Sequence, residues 1–244
     1  MPPRGAVMAR LLLWLGVVLC ALPASAGSLG IHPLRVDLSA ARPTAAITLN
    51  NTGGTAMVVQ LQLMKWTASG EDDHYEANAE ILVTPPIFTI APGVAQIVRL
   101  GLSSDISAED ETAYRLFIEE VPPPSKPGYQ GLRVALRLGL PVFVAPAQEA
   151  RPRIEWTASK ASARLITLRA RNDGNAHARI LTLALRAPGE NRNLAAQTTA
   201  RYLLPGQTRQ WQIPLDKPWQ GRQIHLSVTT DQGVSDADLA LQSP

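Results

Sequence analysis

The stretch ITLNNTGG at residues 47–54 recurs in altered form as ITLRARNDG at residues 166–174. In each copy apolar and polar residues alternate and then reach an Asn/Gly turn, and a second alternating run follows at residues 57–64 and 180–185. A strand, an Asn/Gly turn and a returning strand are typical of a β-hairpin. The sequence therefore predicts two hairpins, at corresponding places in two halves of the chain.

A proline-glycine turn and a further strand follow each of these passages. The turn at residues 92–93 leads into residues 97–100, and the turn at residues 205–206 leads into residues 211–213. Short strands with frequent turn signals, and no helix-period segment between them, are typical of antiparallel β-sandwiches. We therefore predict an all-β fold of two immunoglobulin-like β-sandwich domains in tandem. Residues 146–152 break the alternation, and so short a linker predicts that the domains sit at a fixed angle.

Two arginines, Arg4 and Arg10, precede an apolar run at residues 11–22, which leads to a small-residue site ending at Ala26. This arrangement is typical of a secretory signal peptide. A run of about 12 apolar residues is shorter than the roughly 20 that span a membrane. We therefore expect the protein to be exported and soluble, without membrane insertion. Translation from Met8 would leave a compact basic region around Arg10, and the sequence leaves both starts open.

The expected domain boundaries follow from the leader and the linker. Residues 1–26 are the predicted signal peptide, residues 27–146 the N-terminal domain and residues 147–244 the C-terminal domain. Cys20, the only cysteine, falls in the leader, so we expect no disulfide in the mature chain. Loss of the leader leaves 21 basic and 20 acidic residues, and the arginines are scattered rather than interleaved with aromatics. This composition argues against nucleic-acid binding.

No catalytic constellation appears in the sequence. The histidines are widely separated and form neither an H-x-H nor an H-E-x-x-H pair, so we expect surface or loop positions for His32, His74, His177 and His225. The sequence has no G-x-S-x-G elbow and no glycine-rich phosphate loop. The acidic clusters at residues 71–73 and 109–111 are interpreted as solvated turns. The sequence thus predicts a protein that is not an enzyme and that has no cofactor and no metal site.

The run LRVALRLGL at residues 132–140 has a large aliphatic residue at every second position. This period predicts a β-strand with one wholly apolar face, and the prolines and glycine before it suggest an edge-like strand entered from a loop. Two readings of such a strand stay open. It is either a core strand with one wet face or a strand that offers its apolar face to another protein.

Several passages, in this order, carry a resemblance to a known family: PLRV at residues 33–36, VRL at 98–100, YRLFIEEVPP at 114–123 and LPVFVAP at 140–146. Over essentially the whole mature chain, the sequence resembles the periplasmic chaperones of the chaperone-usher pathway, which assemble pili on Gram-negative bacteria. The last two passages are similar to the archaic, sigma-type branch of that family.

The resemblance implies a role for the alternating strand. Pilin subunits are incomplete sandwiches, and chaperones of this family lend them a strand. By this analogy the residues offered to the subunit are Leu132, Val134, Leu136 and Leu138, while Leu140 packs inside the protein's own first domain. The implied partners are pilin subunits and an outer-membrane usher, in the periplasm. Self-association of the free protein stays open, and the alternative function is a two-sandwich structural or adhesive surface protein.

The resemblance also implies a carboxylate anchor of two basic residues, which holds the C-terminus of the subunit and sets the register of the added strand. Arg35 matches the first basic residue. The second, a lysine in the family, falls on Pro141, which supplies neither a charge nor a backbone donor. Arg115 is the expected substitute, and Arg137 and Arg99 are weaker candidates.

Family members also join their domains through ion pairs. Glu111 matches the acidic member in the first domain and Asp231 the one in the second, while Ala145 stands where an arginine is expected. The resemblance thus implies that these pairs are incomplete in this chain or that Arg99 completes them.

Overall fold

The computed structural model describes residues 29–77, 80–103, 108–122, 134–189 and 193–242. Over these ranges the chain consists of strands and turns. The strands are β1 (Leu29–His32), β2 (Val36–Leu38), β3 (Thr44–Asn51), β4 (Met57–Ser69), β5 (Asp72–Ala77), β6 (Ile81–Thr84), β7 (Ile87–Ile90), β8 (Ala95–Leu102), β9 (Thr112–Val121), β10 (Arg137–Val144), β11 (Ile154–Ser162), β12 (Leu165–Asn172), β13 (Ala178–Arg186), β14 (Asn193–Leu203), β15 (Thr208–Pro214), β16 (Gln223–Thr230) and β17 (Gly233–Gln242). Within the described part, no helix is long and apolar enough to cross a membrane.

Strands β1 to β10 form two sheets that face each other across an apolar core. One sheet has the order β1-β3-β8-β6. The other has the order β2-β10-β9-β4-β5, and β7 pairs with β4. Alternate residues of the strands point into the space between the sheets, where Leu49, Val98, Leu116 and Val142 are fully buried.

Strands β11 to β17 follow the path β14-β13-β16-β17-β11-β12-β15. Strand β17 pairs with β16 from Gly233 to Ala240 and with β11 only at Leu241 and Gln242, so it passes from one half of the sandwich to the other. A second apolar core, which includes the fully buried Ile166, lies between the halves. The predicted all-β fold of two immunoglobulin-like domains is confirmed.

The two Asn/Gly turns do not close hairpins, and that prediction is wrong. Strand β3 belongs to the four-stranded sheet, whereas β4 belongs to the facing sheet. In the second domain β12 pairs with β11 and β15, whereas β13 pairs with β14 and β16. Each turn therefore carries the chain from one sheet of its sandwich to the other. We call residues 51–57 the first Asn turn and residues 172–178 the second Asn turn.

A buried asparagine side chain explains why each turn crosses between sheets. Asn51 Nδ2 donates hydrogen bonds to the backbone oxygens of Thr55, at 2.7 Å, and Ile90, at 3.0 Å. Its Oδ1 accepts a hydrogen bond from Gly53 N–H at 2.9 Å. These bonds bind the turn to the end of β7 in the core rather than to a paired strand, so the asparagine replaces a hairpin ladder.

The second Asn turn repeats this geometry almost atom for atom. Asn172 Nδ2 donates to the backbone oxygens of Ala176 and Leu203, at 2.7 and 3.0 Å, and Oδ1 accepts from Gly174 N–H at 3.0 Å. Both asparagines are fully buried. The repeat seen in the sequence is thus a repeat of this buried corner.

The predicted proline-glycine turns are confirmed. Gly93 has φ of 71° and Gly206 has φ of 72°, a left-handed conformation that glycine adopts without a steric penalty. Each glycine N–H donates to the backbone oxygen of a turn asparagine, and both bonds are 2.8 Å long. The turns therefore lead into β8 and β15 and also close the asparagine corners.

The strand predicted for residues 132–140 begins and ends later in the structure, at Arg137 and Val144. Residues 134–136 are described but are not in a strand, and Leu132 lies outside the described residues. Strand β9, the partner of β10, ends at Val121 and is followed by Pro122, which limits the pairing of the earlier residues. The shift moves the alternating pattern partly out of the sheet.

Candidate functional site

One edge of β10 is open over half of its length. Strand β10 pairs with β9 from Arg137 to Val144, but β2 covers its other edge only at Val142, Phe143 and Val144. Within the described ranges, no strand pairs with this second edge of β10 from Arg137 to Pro141. We call this segment the open edge.

The hydrogen-bonding groups of the open edge follow from the register. Glu120 N–H donates to the backbone oxygen of Leu136 at 2.9 Å, so the even-numbered residues of this segment direct their backbone groups toward β9. The odd-numbered residues therefore direct theirs outward. Arg137 and Gly139 each present an N–H and a C=O, while Pro141 presents only a C=O. Together they form a short ladder for an added strand.

The aliphatic residues beside the open edge become more buried along the chain. Val134 is 80% exposed, and Leu136 and Leu138 are half-buried. Leu138 packs against the core of the first domain. Leu140 is 5% exposed and belongs to that core, as the sequence predicted. Among the described aliphatic residues of this run, Val134 therefore offers the most apolar surface to a partner.

Arg35 lies where the open edge meets β2. It directly precedes β2, whose residues occupy the same side of β10 beyond the open segment. Its guanidinium forms ion pairs with Asp37 at 3.0 Å and with Asp231 of the second domain at 2.9 Å. Partial burial lowers the pKa of Arg35, but the two carboxylates raise it, and the net shift is upward.

Arg115 lies directly opposite Pro141 on β9. Its guanidinium carbon lies 3.9 Å from the centre of the Trp66 ring, which is a cation–π contact. A Cβ atom added to Gly139 would lie 3.0 Å from Arg115 Cδ, so the missing side chain leaves room for the arginine to lie along β10. Arg115 and Arg35 thus both lie near the end of the open edge at Pro141, where β2 begins to pair with β10. By contrast, Arg137 pairs with Glu119 at 2.6 Å.

Glu111 reaches across to the second domain. Its Oε1 lies 2.6 Å from His177 Nδ1 and accepts a hydrogen bond from His177 N–H at 3.0 Å. The side chains are only 7% and 9% exposed, and the imidazole stacks on Phe143 at 3.7 Å. His177 lies in the second Asn turn, so the predicted loop position is confirmed, but the residue is buried rather than on the surface. The predicted solvated turn is wrong at Glu111. Isolated in sequence, the histidine becomes buried when the domains meet.

The structure brings Asp231 to the interface but not Arg99. Asp231 pairs with Arg35, so the two predicted acidic residues each cross the interface, in separate contacts. Arg99 is exposed on β8, opposite Thr84 and Ala46, in the four-stranded sheet. It forms no ion pair within the described residues, so its assignment to the interdomain pairs is corrected. Ala145 lacks a charged side chain, and His177 takes the role of partner to Glu111.

Arg209 was missed by sequence reasoning. Its side chain is 4% exposed and lies 3.4 Å from Glu71 and 3.6 Å from Asp73, which belong to the first domain. Glu71 also accepts a hydrogen bond from Gln210 N–H at 2.7 Å. The acidic cluster at residues 71–73 is exposed, as predicted, but Glu71 and Asp73 also contact the second domain. No local sequence pattern marks this contact, because Arg209 becomes buried only when the turn between β4 and β5 packs against β15.

An aromatic cluster fills the interface between these polar contacts. The Trp66 ring lies 5.8 Å from the Tyr202 ring, edge-on, and Phe143 lies 5.5 Å from Tyr202. Leu204 and Ala113 complete the buried part. Among the described residues, no group of His, Cys, Asp and Glu side chains could hold a metal ion.

These features define a class of protein: two β-sandwiches joined at a packed interface, with an open sheet edge that can receive an extended strand. The family model described as "Pili and flagellar-assembly chaperone, PapD N-terminal domain" matches residues 28–150. The chain belongs to this family, and its function is that of a pilus-assembly chaperone. No curated protein sequence matches the chain.

Solved structures show the same fold at low sequence identity. The chain is similar to a chain of the CsuC–CsuE chaperone–tip adhesion subunit complex from archaic Csu pili of Acinetobacter baumannii, with TM-score 0.64, 22% identity and coverage of 88% of this chain and 100% of that one. The chain is also similar to the YadV chaperone, with TM-score 0.62, 18% identity and coverage of 87% of this chain and 100% of that one. A third similar structure is a chain of the complex of the Salmonella enterica SafA pilin with the SafB chaperone. Its TM-score is 0.58 and its identity 19%, with coverage of 88% of this chain and 96% of that one.

Proposed function

We propose that this chaperone binds pilin subunits by lending them β10 and the residues before it, and that it delivers them to an outer-membrane usher. The observation that carries the proposal is the open edge, which presents outward backbone groups beside the half-buried Leu136 and Leu138. An exposed sheet edge with apolar side chains is an aggregation hazard unless another strand covers it. A subunit that lacks a strand supplies that cover.

The added strand lies parallel to β10 in this proposal. Strand β2 is parallel to β10 and occupies the same side, so the bound strand extends the row that β2 begins. A strand that runs from Arg137 toward Pro141 ends with its C-terminus at Arg35, and Arg115 lies close to that point. These two arginines are the proposed carboxylate anchors.

The apolar side chains supply the second part of the affinity. Leu132, Val134, Leu136 and Leu138 are the proposed subunit contacts, and burial of each is worth about 1.5–3 kcal/mol. Val134 can bury the largest area on binding, because its side chain is 80% exposed. Leu138 contributes less than Leu136 in this scheme, since it already packs on its own core.

The cellular setting belongs to the same proposal. We assign residues 1–26 to a cleaved signal peptide, residues 27–146 to the subunit-binding domain and residues 147–244 to the second domain, in a periplasmic protein. Membership of the pilus-chaperone family supports the location and the absence of catalysis. The similarity to an archaic Csu complex favours the archaic branch. Capping of the open edge by a second copy of the free chaperone is also proposed.

The experiment that tests strand lending is co-purification from cells that express the chaperone with its pilin. Leu136→Asp places a charge in the apolar groove of the subunit, so we expect loss of the pilin while the chaperone stays folded. Ala135→Asp is the matched control, because it adds the same charge to the neighbouring exposed residue on the opposite face of the segment. Pilin recovered equally with Leu136→Asp would refute the proposal.

A further inference from the structure

A polar cavity lies at the side of the second sandwich where β14 and β15 come together. These strands are the two ends of the strand path, so within the described residues each has one edge that no strand pairs with. The cavity has a volume of about 330 Å³, and its lining comes from β14, β15 and Glu71 in the turn between β4 and β5. No described residue of β2, β9 or β10 lines it, so it is separate from the open edge.

The lining of this cavity contains an unpaired donor and an unpaired acceptor. Arg209 is 4% exposed, and its Nε–H has no hydrogen-bond partner among the described residues, although its terminal nitrogens lie close to Glu71 and Asp73. Gln197 lines the same cavity, and its Oε1 is buried without a partner in the described part of the chain. Burial without a hydrogen bond is costly, and buried polar atoms are nearly always paired. A ligand suited to this cavity therefore both donates and accepts hydrogen bonds.

A bulge in β14 adds a hydroxyl group to the lining. At Thr199 and Ala200, two residues of β14 face one residue of β13. Ala200 has φ of 50°, a left-handed conformation that residues with a side chain rarely adopt, and bulges of this kind redirect neighbouring side chains. Thr199 Oγ1 accepts a hydrogen bond from Trp211 Nε1 at 2.9 Å, so the hydroxyl hydrogen of Thr199 points elsewhere and can be donated to a ligand.

The charges around the cavity are balanced. Two arginines, Arg201 and Arg209, line it, and Glu71 lines it as well. Asp73 lies 3.6 Å from Arg209 and supplies a second negative charge. An anionic ligand would face the Glu71 carboxylate, and a cationic ligand would face the two guanidinium groups. The balance therefore favours a ligand that is neutral and rich in hydrogen-bonding groups.

We propose that this cavity binds a neutral saccharide. A hydroxyl group both donates and accepts, so adjacent hydroxyls of one sugar ring can accept from Arg209 Nε–H and donate to Gln197 Oε1. Thr199 donates to a further oxygen of the same ring. The site lies outside the strand-binding surface, and it gives the second domain a ligand of its own.

The rest of the lining fits recognition of a sugar by its hydroxyl groups. The side chains of Gln210 and Gln212 are exposed and supply amide donors and acceptors at the cavity. Trp211 is 7% exposed, so its ring offers little surface for stacking, and hydrogen bonds supply the recognition. The volume lies near the lower limit of small-molecule sites, about 300–1,000 Å³. The cavity therefore suits a short saccharide, either free or at the end of a longer glycan.

The test is a titration of the isotopically labelled mature chaperone, followed by the NMR signals of its backbone amides. The probes are glucose, N-acetylglucosamine and their β-1,4-linked disaccharides cellobiose and chitobiose. Cyclohexanol, which has the ring but a single hydroxyl, and inorganic phosphate are the comparison compounds. We expect at least one sugar to cause saturable shifts at residues 197–199 and 209–212, and neither comparison compound to do so. Binding of a monosaccharide alone would indicate a free sugar, and stronger binding of a disaccharide would indicate the end of a glycan.

Two substitutions locate the site. Gln197→Met keeps the length of the side chain but removes the amide, so the dissociation constant should rise about 5-fold or more. Thermal stability should stay the same or increase, because an unpaired oxygen is no longer buried. Arg209→Lys keeps a positive charge near Glu71 and Asp73 but removes Nε–H, and it should weaken binding by a similar factor. Gln223→Met is the matched control, because Gln223 is exposed on β16 and does not line the cavity.

Three results would overturn the saccharide site. One is the absence of shifts at these residues with all four sugars. Another is an equal response to cyclohexanol or to phosphate, which would indicate an apolar or an anion site. The third is unchanged sugar binding by both Gln197→Met and Arg209→Lys, since the ligand would then bind elsewhere on the protein.

Discussion

The first and second Asn turns share their internal hydrogen bonds but differ in what surrounds them. Gly54 of the first turn is exposed, and no atom lies within 4 Å of a Cβ added there. Its counterpart Asn175 binds the interdomain linker: Oδ1 accepts from Arg151 N–H at 2.8 Å, and Nδ2 donates to Glu149 O at 3.1 Å. In the first domain the Asn turn therefore only connects the two sheets. In the second domain the corresponding turn also binds the interdomain linker.

A second pair of counterparts shows the same divergence. Ala56 is exposed in the first turn, whereas His177 at the corresponding place is buried against Glu111 and Phe143. The backbone oxygen of Asn175 also accepts a hydrogen bond from Glu111 N–H at 2.8 Å. A repeated corner can therefore acquire interdomain contacts through its outer side chains, while the buried asparagine preserves the fold.

The largest effect is expected from the asparagines themselves. Asn172→Ala removes a side chain with four hydrogen bonds and leaves buried backbone groups unpaired, which should cost about 3–5 kcal/mol of unfolding free energy. Asn51→Ala should cost slightly less, because three such bonds are lost. Urea unfolding measures both. The exposed neighbour Asn50→Ala is the control, and an equal loss there would contradict the role of the corner.

A somewhat smaller effect is expected at His177. His177→Ala makes the second turn resemble the first and leaves the buried Glu111 carboxylate without its imidazole partner, at a cost of about 2–4 kcal/mol. A double-mutant cycle with Glu111→Gln should give a coupling of at least about 1 kcal/mol. The reciprocal change Ala56→His, at an exposed site, should alter stability by less than about 0.5 kcal/mol. Additivity of the two interface substitutions would show that the pair is unimportant.

The smallest of the three effects is expected at the turn glycines. A Cβ on Gly174 would lie 2.3 Å from Arg151 O and 2.4 Å from Arg153 N, so Gly174→Ala must displace the linker backbone. We expect a cost of about 1–3 kcal/mol and faster hydrogen exchange in residues 146–153. Gly54→Ala should change neither quantity. Unaltered exchange in the linker of Gly174→Ala would mean that the turn does not hold the joint.

Much of the fold was predictable because alternation depends on a single strand. The aliphatic residues at alternate positions of β3, β8 and β12 predict strands, as do Trp211 and Ile213 in β15, and the proline-glycine turns are local as well. Strand pairing is not local. The Asn/Gly turns suggested hairpins because the sequence does not reveal that the Asn51 side chain is bonded to Ile90, 39 residues away.

The candidate site was predictable only in part for the same reason. The apolar residues that precede β10, the family resemblance of Arg35 and the choice of Arg115 as a substitute for the missing lysine all pointed to the surface beside the open edge. None of these predicted that β10 begins at Arg137, nor that Trp66 and Phe143 of the first domain contact Tyr202 of the second. Those contacts join residues of different domains, and no spacing in the sequence encodes them.

The sequence by itself determined the all-β class, the duplication of the sandwich and the apolar character of the segment before Leu140. These properties follow from the order of residues within single strands and turns. Only the tertiary structure decided which strand edge stays open, which charges become buried and which side chains meet at the interface. Burial and pairing depend on the docking of distant segments, and that docking made an isolated histidine the partner of Glu111 and buried Arg209 beneath an acidic tip.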